Sequence, residues 1–424
     1  MEYLYFIVPV ALLAVGFPIY LILLVTALVI VLFVQKVEPS MVQTMMFGSL
    51  DSPPMLAIPF FILAGEIMGQ GGIAKRLVDW VMAIIGCLRG SLPLTTIASS
   101  ELFGAMSGSS VGCVAAIGRL LYPSLRQGGY NERFSVGLIA ASGAVAIVIP
   151  PSIAMIIYGI TASVSVPALF LAGFIPGILI GVIDAIYVVY YARKTQVPVR
   201  ITVAERFRLI GRTTVNALGS LGAPVVIFGG IYGGVFTPTE AAGVAVVYSA
   251  LVSRYVYGDV SWRDLWAITR GSAFLIAQIL IIVAAAGVYS SLLTTSGMPL
   301  SLVKYIEALQ LNAWTTLLVF NVVLLLVGSF LEPPAAILIL TPFMLPIVKA
   351  LGIDEVHFGI VVTVNLSIGM YMPPFGLNLF AAHAIFSVPM GAIFRGVVPF
   401  LLLNILALML ITYIPGISLL LSRL

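Results

Sequence analysis

An all-α, polytopic integral membrane protein with two related halves is the fold class this sequence predicts. Three observations carry it: a very apolar composition, long apolar stretches from end to end, and prolines and glycines that recur at one spacing. Of 424 residues, 61% are hydrophobic and only 8% are charged. A soluble chain carries about 25% charged residues, so this one lacks the polar groups to cover its own exterior, and lipid must be the solvent for much of it. A hydrocarbon core of ~30 Å takes about 20 apolar residues of helix to cross. Stretches of that order recur along the whole chain, which excludes a soluble enzyme on a single anchor. Membrane barrels alternate polar and apolar positions in short segments; the runs here are continuous, and helices are the remaining way to satisfy the backbone in lipid.

The start, Met1-Glu2-Tyr3, lacks the basic region of a signal peptide, and residues 3–34 are expected to be mature membrane sequence. Cys87 and Cys113 are too few for a disulfide framework or a metal site and read as small structural residues. The net charge of +4 reflects topology rather than an anionic partner, and no nucleic acid is expected. Basic residues concentrate in 192–213, at Arg193, Lys194, Arg200, Arg206, Arg208 and Arg212. The positive-inside bias places that segment in the cytoplasm and the N-terminus outside. Within it, VAERFRLIGR reads as a short amphipathic surface helix or a solvated linker.

Comparison of the chain with itself is more informative. A shift of 223 residues superposes Pro123 on Pro346, Pro150-Pro151 on Pro373-Pro374, Pro176 on Pro399, Gly129 on Gly352 and Gly173 on Gly396. Proline and glycine decide backbone geometry, so one ungapped register for four prolines predicts two repeats, 1–213 and 214–424. If the first half begins outside and ends in the basic loop, it crosses an odd number of times, and its copy is inverted. Inverted repeats are characteristic of secondary transporters with a site near the midplane. A parallel duplication is the alternative.

Each half breaks its apolar pattern twice. Residues 91–122 hold two arms of about 15 residues around Met106-Ser107-Gly108-Ser109-Ser110-Val111-Gly112. Arms that short span only ~22 Å and predict a re-entrant hairpin. Its mate is 313–347, with tip Gly328-Ser329-Phe330-Leu331-Glu332-Pro333-Pro334. The double prolines lie inside apolar runs and predict broken helices over 133–165 and 357–386. Consecutive prolines remove amide donors and clash with the preceding turn, and open backbone at membrane depth needs protein or a water-filled cavity around it. Two tips and two breaks therefore predict a central site. Freed carbonyls suit a bare cation such as Na⁺; half-helix N-termini and hydroxyls suit a carboxylate. Ser107, Ser109, Ser110, Ser329, Ser142, Ser152, Asn365, Ser367 and Asn378 are the candidate contacts, the alternative being that small residues here only allow close helix packing.

Intramembrane acids are functional candidates by default: Glu66, Glu101, Asp184, Glu240 and Glu332. Glu240, after Thr237-Pro238, competes between a helix cap and cation or proton binding. Glu332, at a tip beside two prolines, is the stronger functional acid, while Asp184 and Glu66 are expected to find basic partners on another helix or subunit. His357 and His383 read as structural. No phosphate-binding G-x-x-x-x-G-K-[ST] loop occurs, so this chain does not hydrolyse ATP, and two lone histidines cannot form H-E-x-x-H. A Ser109–His383 protease would leave the duplication unexplained.

The segments SGSSVGCVAAIG (107–118), VIPPSIAMIIYG (148–159), IYGGVFTPTEAA (231–242), LEPPAAILILTPFMLPI (331–347) and MPPFGLNLF (372–380) resemble those of one family. It is the large membrane subunit of tripartite ATP-independent periplasmic (TRAP) transporters. The resemblance implies Na⁺-coupled import of an organic acid, of the sialic acid or C4-dicarboxylate class, across the bacterial inner membrane. Na⁺ would be the coupling ion, with no organic cofactor. It further implies an elevator-type mobile domain bearing both hairpins, a separate small four-helix membrane subunit, and a periplasmic substrate-binding protein. By position the tips fall at 107–110 and 329–334 and the unwound helices at 150–152 and 373–378. Ser107, Gly108, Ser142, Pro150, Glu332, Pro333, Asn365, Gly369, Met372 and Pro373 are then the expected Na⁺ ligands. Ser109, Ser110, Ser152, Ser329 and Asn378 are the expected substrate contacts. A two-component carrier without a binding protein, or a membrane scaffold, are the competing readings.

Overall fold

The computed structural model describes the chain except residues 1–3, 36, 37, 39, 195–202, 299, 300, 302, 304–310 and 424. Every regular element among the described residues is a helix. The first half runs α1 (Leu4–Val15), α2 (Ile19–Val29) with a π-helical extension Ile30–Gln35, α3 (Ser40–Leu50), α4 (Ala57–Gln70) and α5 (Ile73–Ile85). It continues through α6 (Ser91–Ser107), α7 (Ser110–Gln127), α8 (Glu132–Val145), α9 (Ile153–Ala162) and α10 (Val166–Tyr191). The second half holds α11 (Val203–Tyr232), α12 (Pro238–Leu251), α13 (Trp262–Thr295), α14 (Ala313–Phe330), α15 (Pro333–Ala350), α16 (Glu355–Gly369), α17 (Leu377–Phe386), α18 (Met390–Tyr413) and the short α19 (Gly416–Leu419).

Six of these are long and apolar enough to cross a membrane: α10, residues 204–232 of α11, α13, α14, α15 and α18. A bent pair, α3 with Pro53–Gln70, turns by 71° and would make a seventh span. The outer helices are poorly covered by protein: a third of the most apolar window of α13 is buried, and less of α11. Phe207, Val215, Leu218, Val225, Trp266 and Phe274 are all at least 60% exposed, as lipid-facing or partner-facing side chains should be.

Helix boundaries recur at the spacing seen in the sequence. Ser107 and Phe330 end α6 and α14, Ser110 and Pro333 open α7 and α15, and Gln127 and Ala350 close them; each pair differs by 223. Asn131 and Asp354, again 223 apart, cap α8 and α16 through their side-chain oxygens. Both arms of the first hairpin pack on each other and on α8, and α14 lies along α16.

Several expected boundaries move, each for a backbone reason. The hairpins do not stop at 122 and 347, because Pro123, Pro342 and Pro346 are absorbed inside α7 and α15, which run on to Gln127 and Ala350. The broken helices open earlier than their prolines. Pro150 and Pro151 deny a donor to the carbonyls of residues 146 and 147, so α8 ends at Val145. By the same count Pro373 and Pro374 end α16 at Gly369. The segment VAERFRLIGR forms neither a separate surface helix nor a linker; it is the start of the continuous α11. There α5 lies alongside it, with Trp80 Nε1 donating to Thr214 Oγ1 at 3.0 Å. Arg200 lies outside the described residues. Finally, α14 and α15 have 18 residues each, ~27 Å of helix, so length alone lets the second hairpin cross the bilayer as readily as turn back within it.

Contacts sort the loops into two ends. At one, Asn131 Nδ2 donates to Tyr191 Oη at 2.7 Å, Arg206 donates to the Ile84 carbonyl at 2.8 Å, and Gly90 abuts Ala192. This end carries Arg89, Arg126, Arg133, Arg193 and Arg206. At the other, Tyr158 Oη donates to the Glu355 carbonyl at 2.9 Å, and Lys349 and Arg423 pair with Glu355 and Asp354 at 3.3 and 3.8 Å. Helix α10, 26 residues or ~39 Å long, joins the two ends. The equivalent loops 128–131 and 351–354 thus lie at opposite ends.

Candidate functional site

Two tips and two breaks build the central region. At the first tip, α6 stops where Gly108 turns left-handed with φ +59°, and Ser109 starts α7 by accepting from Gly112 N at 3.2 Å. At the second, Glu332 caps α15 with no side-chain hydrogen bond, and Pro333 and Pro334 fill the first turn, where their missing N–H groups cost nothing. In the first break Ser152 caps α9, accepting from Met155 N at 3.4 Å. In the second, Gly376 N donates to Met372 O at 3.0 Å and Asn378 N to Met370 O at 2.8 Å, folding the chain back before α17. Both Pro-Pro bonds, 150–151 and 373–374, are cis.

These pieces meet. A methyl group on Gly108 would come within 2.9 Å of the Pro151 carbonyl oxygen, so the first tip rests on the first break. Ser110 Oγ donates to Asn378 Oδ1 at 3.0 Å, and Asn378 Nδ2 donates to the Ala140 carbonyl at 2.9 Å, tying that tip to the helix beyond the second break and to α8. Ser367 Oγ donates to the Ala144 carbonyl at 2.8 Å and joins the two broken helices directly. On the far side Gly328 and Gly369 touch backbone to backbone; a methyl on Gly369 would lie 2.4 Å from the Gly328 carbonyl carbon. The exposed rings of Phe330 and Phe375 meet at a tilt, 4.7 Å between centroids, joining the second tip to the second break.

The expected ligands divide by how their polar atoms are used. Ser109 and Ser152 are helix caps, and Ser329 Oγ donates to the Leu326 carbonyl within its own helix at 2.7 Å. Ser110 and Asn378 satisfy each other. Ser107 is 2% exposed, its hydroxyl accepting a long bond of 3.5 Å from Ser109 N. Gly108, Pro150 and Pro333 are buried, and Met372 and Pro373 are half-buried, all beside opened backbone. Glu332 is half-buried, with no side-chain hydrogen bond or ion pair among the described residues.

Ser142 and Asn365 differ from the rest. Ser142 Oγ and Asn365 Oδ1 are buried oxygens with no hydrogen-bond partner. They stand on α8 and α16 at positions 223 apart. A buried acceptor left unpaired costs ~1–3 kcal/mol and calls for an ion or water. Sequence reasoning missed what orients Asn365: its Nδ2 donates to Asn321 Oδ1 at 2.8 Å, and Asn321 Nδ2 donates to Thr412 Oγ1 at 3.1 Å. The signal was present, a lone asparagine within the apolar run of α14.

Other candidates have structural uses. Glu240 closes a capping box with Thr237. Glu66 accepts from Gln70 rather than a cation, and Asp184 meets Asn404 at 3.5 Å instead of a basic partner. His357 lies 3.0 Å from Ser418 Oγ and 3.1 Å from the Thr412 carbonyl, and His383 lies 2.8 Å from the Val388 carbonyl. Cys87 and Cys113 are unpaired.

The family model described as "Tripartite ATP-independent periplasmic transporter, DctM component" matches residues 6–417. The chain belongs to this family. As a TRAP large permease it is a transporter subunit and not an enzyme. It is 40% identical over 396 residues to the C4-dicarboxylate TRAP transporter large permease protein DctM of Pseudomonas aeruginosa, covering 93% of this chain and 91% of that one. It is 38% identical to the ectoine TRAP transporter large permease protein TeaC of Halomonas elongata, over 98% and 97% of the two chains. It is 34% identical to the sialic acid TRAP transporter large permease protein SiaM of Vibrio cholerae, over 96% and 95%. Among solved structures, the Alcanivorax borkumensis YdaH transporter superposes with a TM-score of 0.63 at 16% identity, over 96% of this chain and 98% of that one. That likeness extends to the fold of this TRAP permease alone.

Proposed function

We propose that this chain is the translocating subunit of a Na⁺-coupled importer of an organic acid anion in the bacterial inner membrane. It takes its cargo from a periplasmic binding protein and works beside a small four-helix membrane subunit. The observation that carries the proposal is the pair of unpartnered buried oxygens, Ser142 Oγ and Asn365 Oδ1, on two broken helices that two hairpin tips abut. Oxygen acceptors without donors, next to carbonyls freed at the ends of α8 and α16, suit a bare monovalent cation, which needs several oxygen ligands. The helix start at Gly376 lacks a side-chain cap, and a helix N-terminus favours an anionic group.

The residues support an inverted-repeat reading with the tips at membrane depth. The end bearing Arg89, Arg126, Arg133, Arg193 and Arg206 faces the cytoplasm by the positive-inside bias, and we take the N-terminus to lie in the periplasm. Movement of the hairpins with the broken helices, as an elevator past α11 and α13, is the transport step we assign. The exposed apolar faces of those outer helices offer the small subunit its seat. Cargo of the C4-dicarboxylate or sialic acid class is our choice. Identities of 40% and 34% to relatives named for those two, and 38% to one named for ectoine, are too close together to rank them.

Reconstitution in liposomes with the small subunit tests the proposal. Uptake of labelled succinate or sialic acid should require both an inward Na⁺ gradient and added binding protein. Uptake without the binding protein would favour a two-component carrier, and uptake indifferent to Na⁺ would remove the coupling ion.

A further inference from the structure

Two acids outside the tips and breaks stand on neighbouring helices, one step from the second break through Asn404 and Tyr371. Glu101 stands on α6 and Asp184 on α10, two helices in direct contact. A methyl group on Gly181 would overlap the Glu101 carboxylate, so that carboxylate rests on bare α10 backbone. Asp184 lies three residues further along the same helix, hence on the same face. Asp184 is 1% exposed, so the two acids approach each other across the α6–α10 contact.

Their surroundings are short of donors. Glu101 Oε1 and Asp184 Oδ1 are buried without a hydrogen-bond partner, and so is Oδ1 of Asn404 on α18. Asn404 Nδ2 reaches Asp184 Oδ2 at 3.5 Å and Tyr371 Oη at 2.8 Å. Tyr371, on the second break, is a further titratable group, joined to Asp184 through Asn404. Among the described residues the ion pairs join other residues, and neither acid has a basic partner. Three buried acceptors on α6, α10 and α18 thus lack a donor, and the donors named among their neighbours are the Asn404 amide and the Tyr371 hydroxyl. Two full negative charges side by side in a dry interior repel strongly, because low dielectric magnifies their interaction. A proton answers both needs: it cancels one charge and turns one carboxylate oxygen into a donor. A metal ion fits less well, since Asn404 turns an N–H toward Asp184 and no third acid or histidine joins the group among the described residues.

We infer that Glu101 and Asp184 form a proton-binding pair, holding one proton between them and fastening the first hairpin arm to α10. The inference does not depend on Na⁺ coupling, and its test does not use transport. The full chain in lipid nanodiscs is titrated from about pH 6 to about pH 9 by difference infrared spectroscopy, with unfolding temperature followed in parallel. A protonated-carboxyl stretch at neutral pH should be present in the wild type and missing from the Glu101→Gln, Asp184→Asn double variant, whose amides keep the shape and cannot ionise. The wild-type unfolding temperature should fall as the proton is stripped at rising pH, and that of the double variant should stay level. A wild-type spectrum without a protonated carboxyl at neutral pH overturns the inference, whether or not the variant folds. Equal bands in both proteins, or parallel pH profiles of stability, overturn it as well.

Discussion

Ser142 is the residue where structural and ligand roles separate most cleanly. A buried hydroxyl that bonds to nothing adds no stability through that bond, so deleting it removes a penalty rather than an interaction. Ser142→Ala should leave the unfolding free energy within about 1 kcal/mol of wild type. If the hydroxyl ligates Na⁺, the same change should raise the Na⁺ concentration for half-maximal uptake about tenfold, the effect of losing ~1.4 kcal/mol of binding. Uptake measured against Na⁺ concentration decides it, and an unchanged half-saturation point would take Ser142 out of the ion site. Asn365 is a poorer probe, because its Nδ2 also holds Asn321 and the Val361 carbonyl, so truncation mixes two effects. Asn321 shows why residue roles were only partly legible. Sequence marks it as polar in an apolar helix but cannot say that it faces Asn365, 44 positions away. Serine at a tip is equally ambiguous beforehand. Ser109 and Ser329 became a helix cap and an in-helix bond, whereas Ser110 crosses 268 positions to reach Asn378.

At the scale of elements the breaks were readable because proline acts locally. Pro150-Pro151 and Pro373-Pro374 each remove two consecutive donors and clash with the preceding turn, so helices α8 and α16 had to open near those positions. Single prolines were less informative: Pro123 and Pro346 sit inside α7 and α15, where neighbouring helices absorb the lost bond. How breaks and tips pack was not legible, since that depends on glycines whose value lies in what approaches them. Gly369 is the sharpest case, its missing side chain occupied by the Gly328 backbone. Gly369→Ala must force α14 and α16 apart, with no flexible side chain to give way, at a cost of about 1–3 kcal/mol or more. Gly243 in α12 has open space where a methyl would go, so Gly243→Ala should be neutral or stabilise by up to about 1 kcal/mol. Thermal unfolding of the two variants in one detergent should therefore separate them, with transport lost in Gly369→Ala only. Similar unfolding temperatures would mean that the tip and the broken helix are not in the contact described.

The molecule as a whole carries an asymmetry that a label can read. Gln127 and Ala350 end equivalent hairpin arms, are both exposed, and differ by 223 positions. Gln127 adjoins the loop whose Asn131 bonds Tyr191, at the arginine-bearing end; Ala350 adjoins Asp354 and Glu355, which take Arg423 and Lys349. On the inverted reading proposed above, a bilayer crossed by the ~39 Å of α10 between those ends puts the two positions in opposite compartments. A parallel duplication puts them on one face. Replacing Cys87 and Cys113, then introducing Gln127→Cys or Ala350→Cys singly, gives two chains that differ in one accessible thiol. In intact spheroplasts a membrane-impermeant maleimide should label Ala350→Cys and spare Gln127→Cys until the membrane is opened. Labelling of both from outside would refute the inverted arrangement; labelling of Gln127→Cys alone would keep the inversion and reverse the orientation taken from the arginines. The opposition of the two labels tests the fold, and their order tests the charge rule.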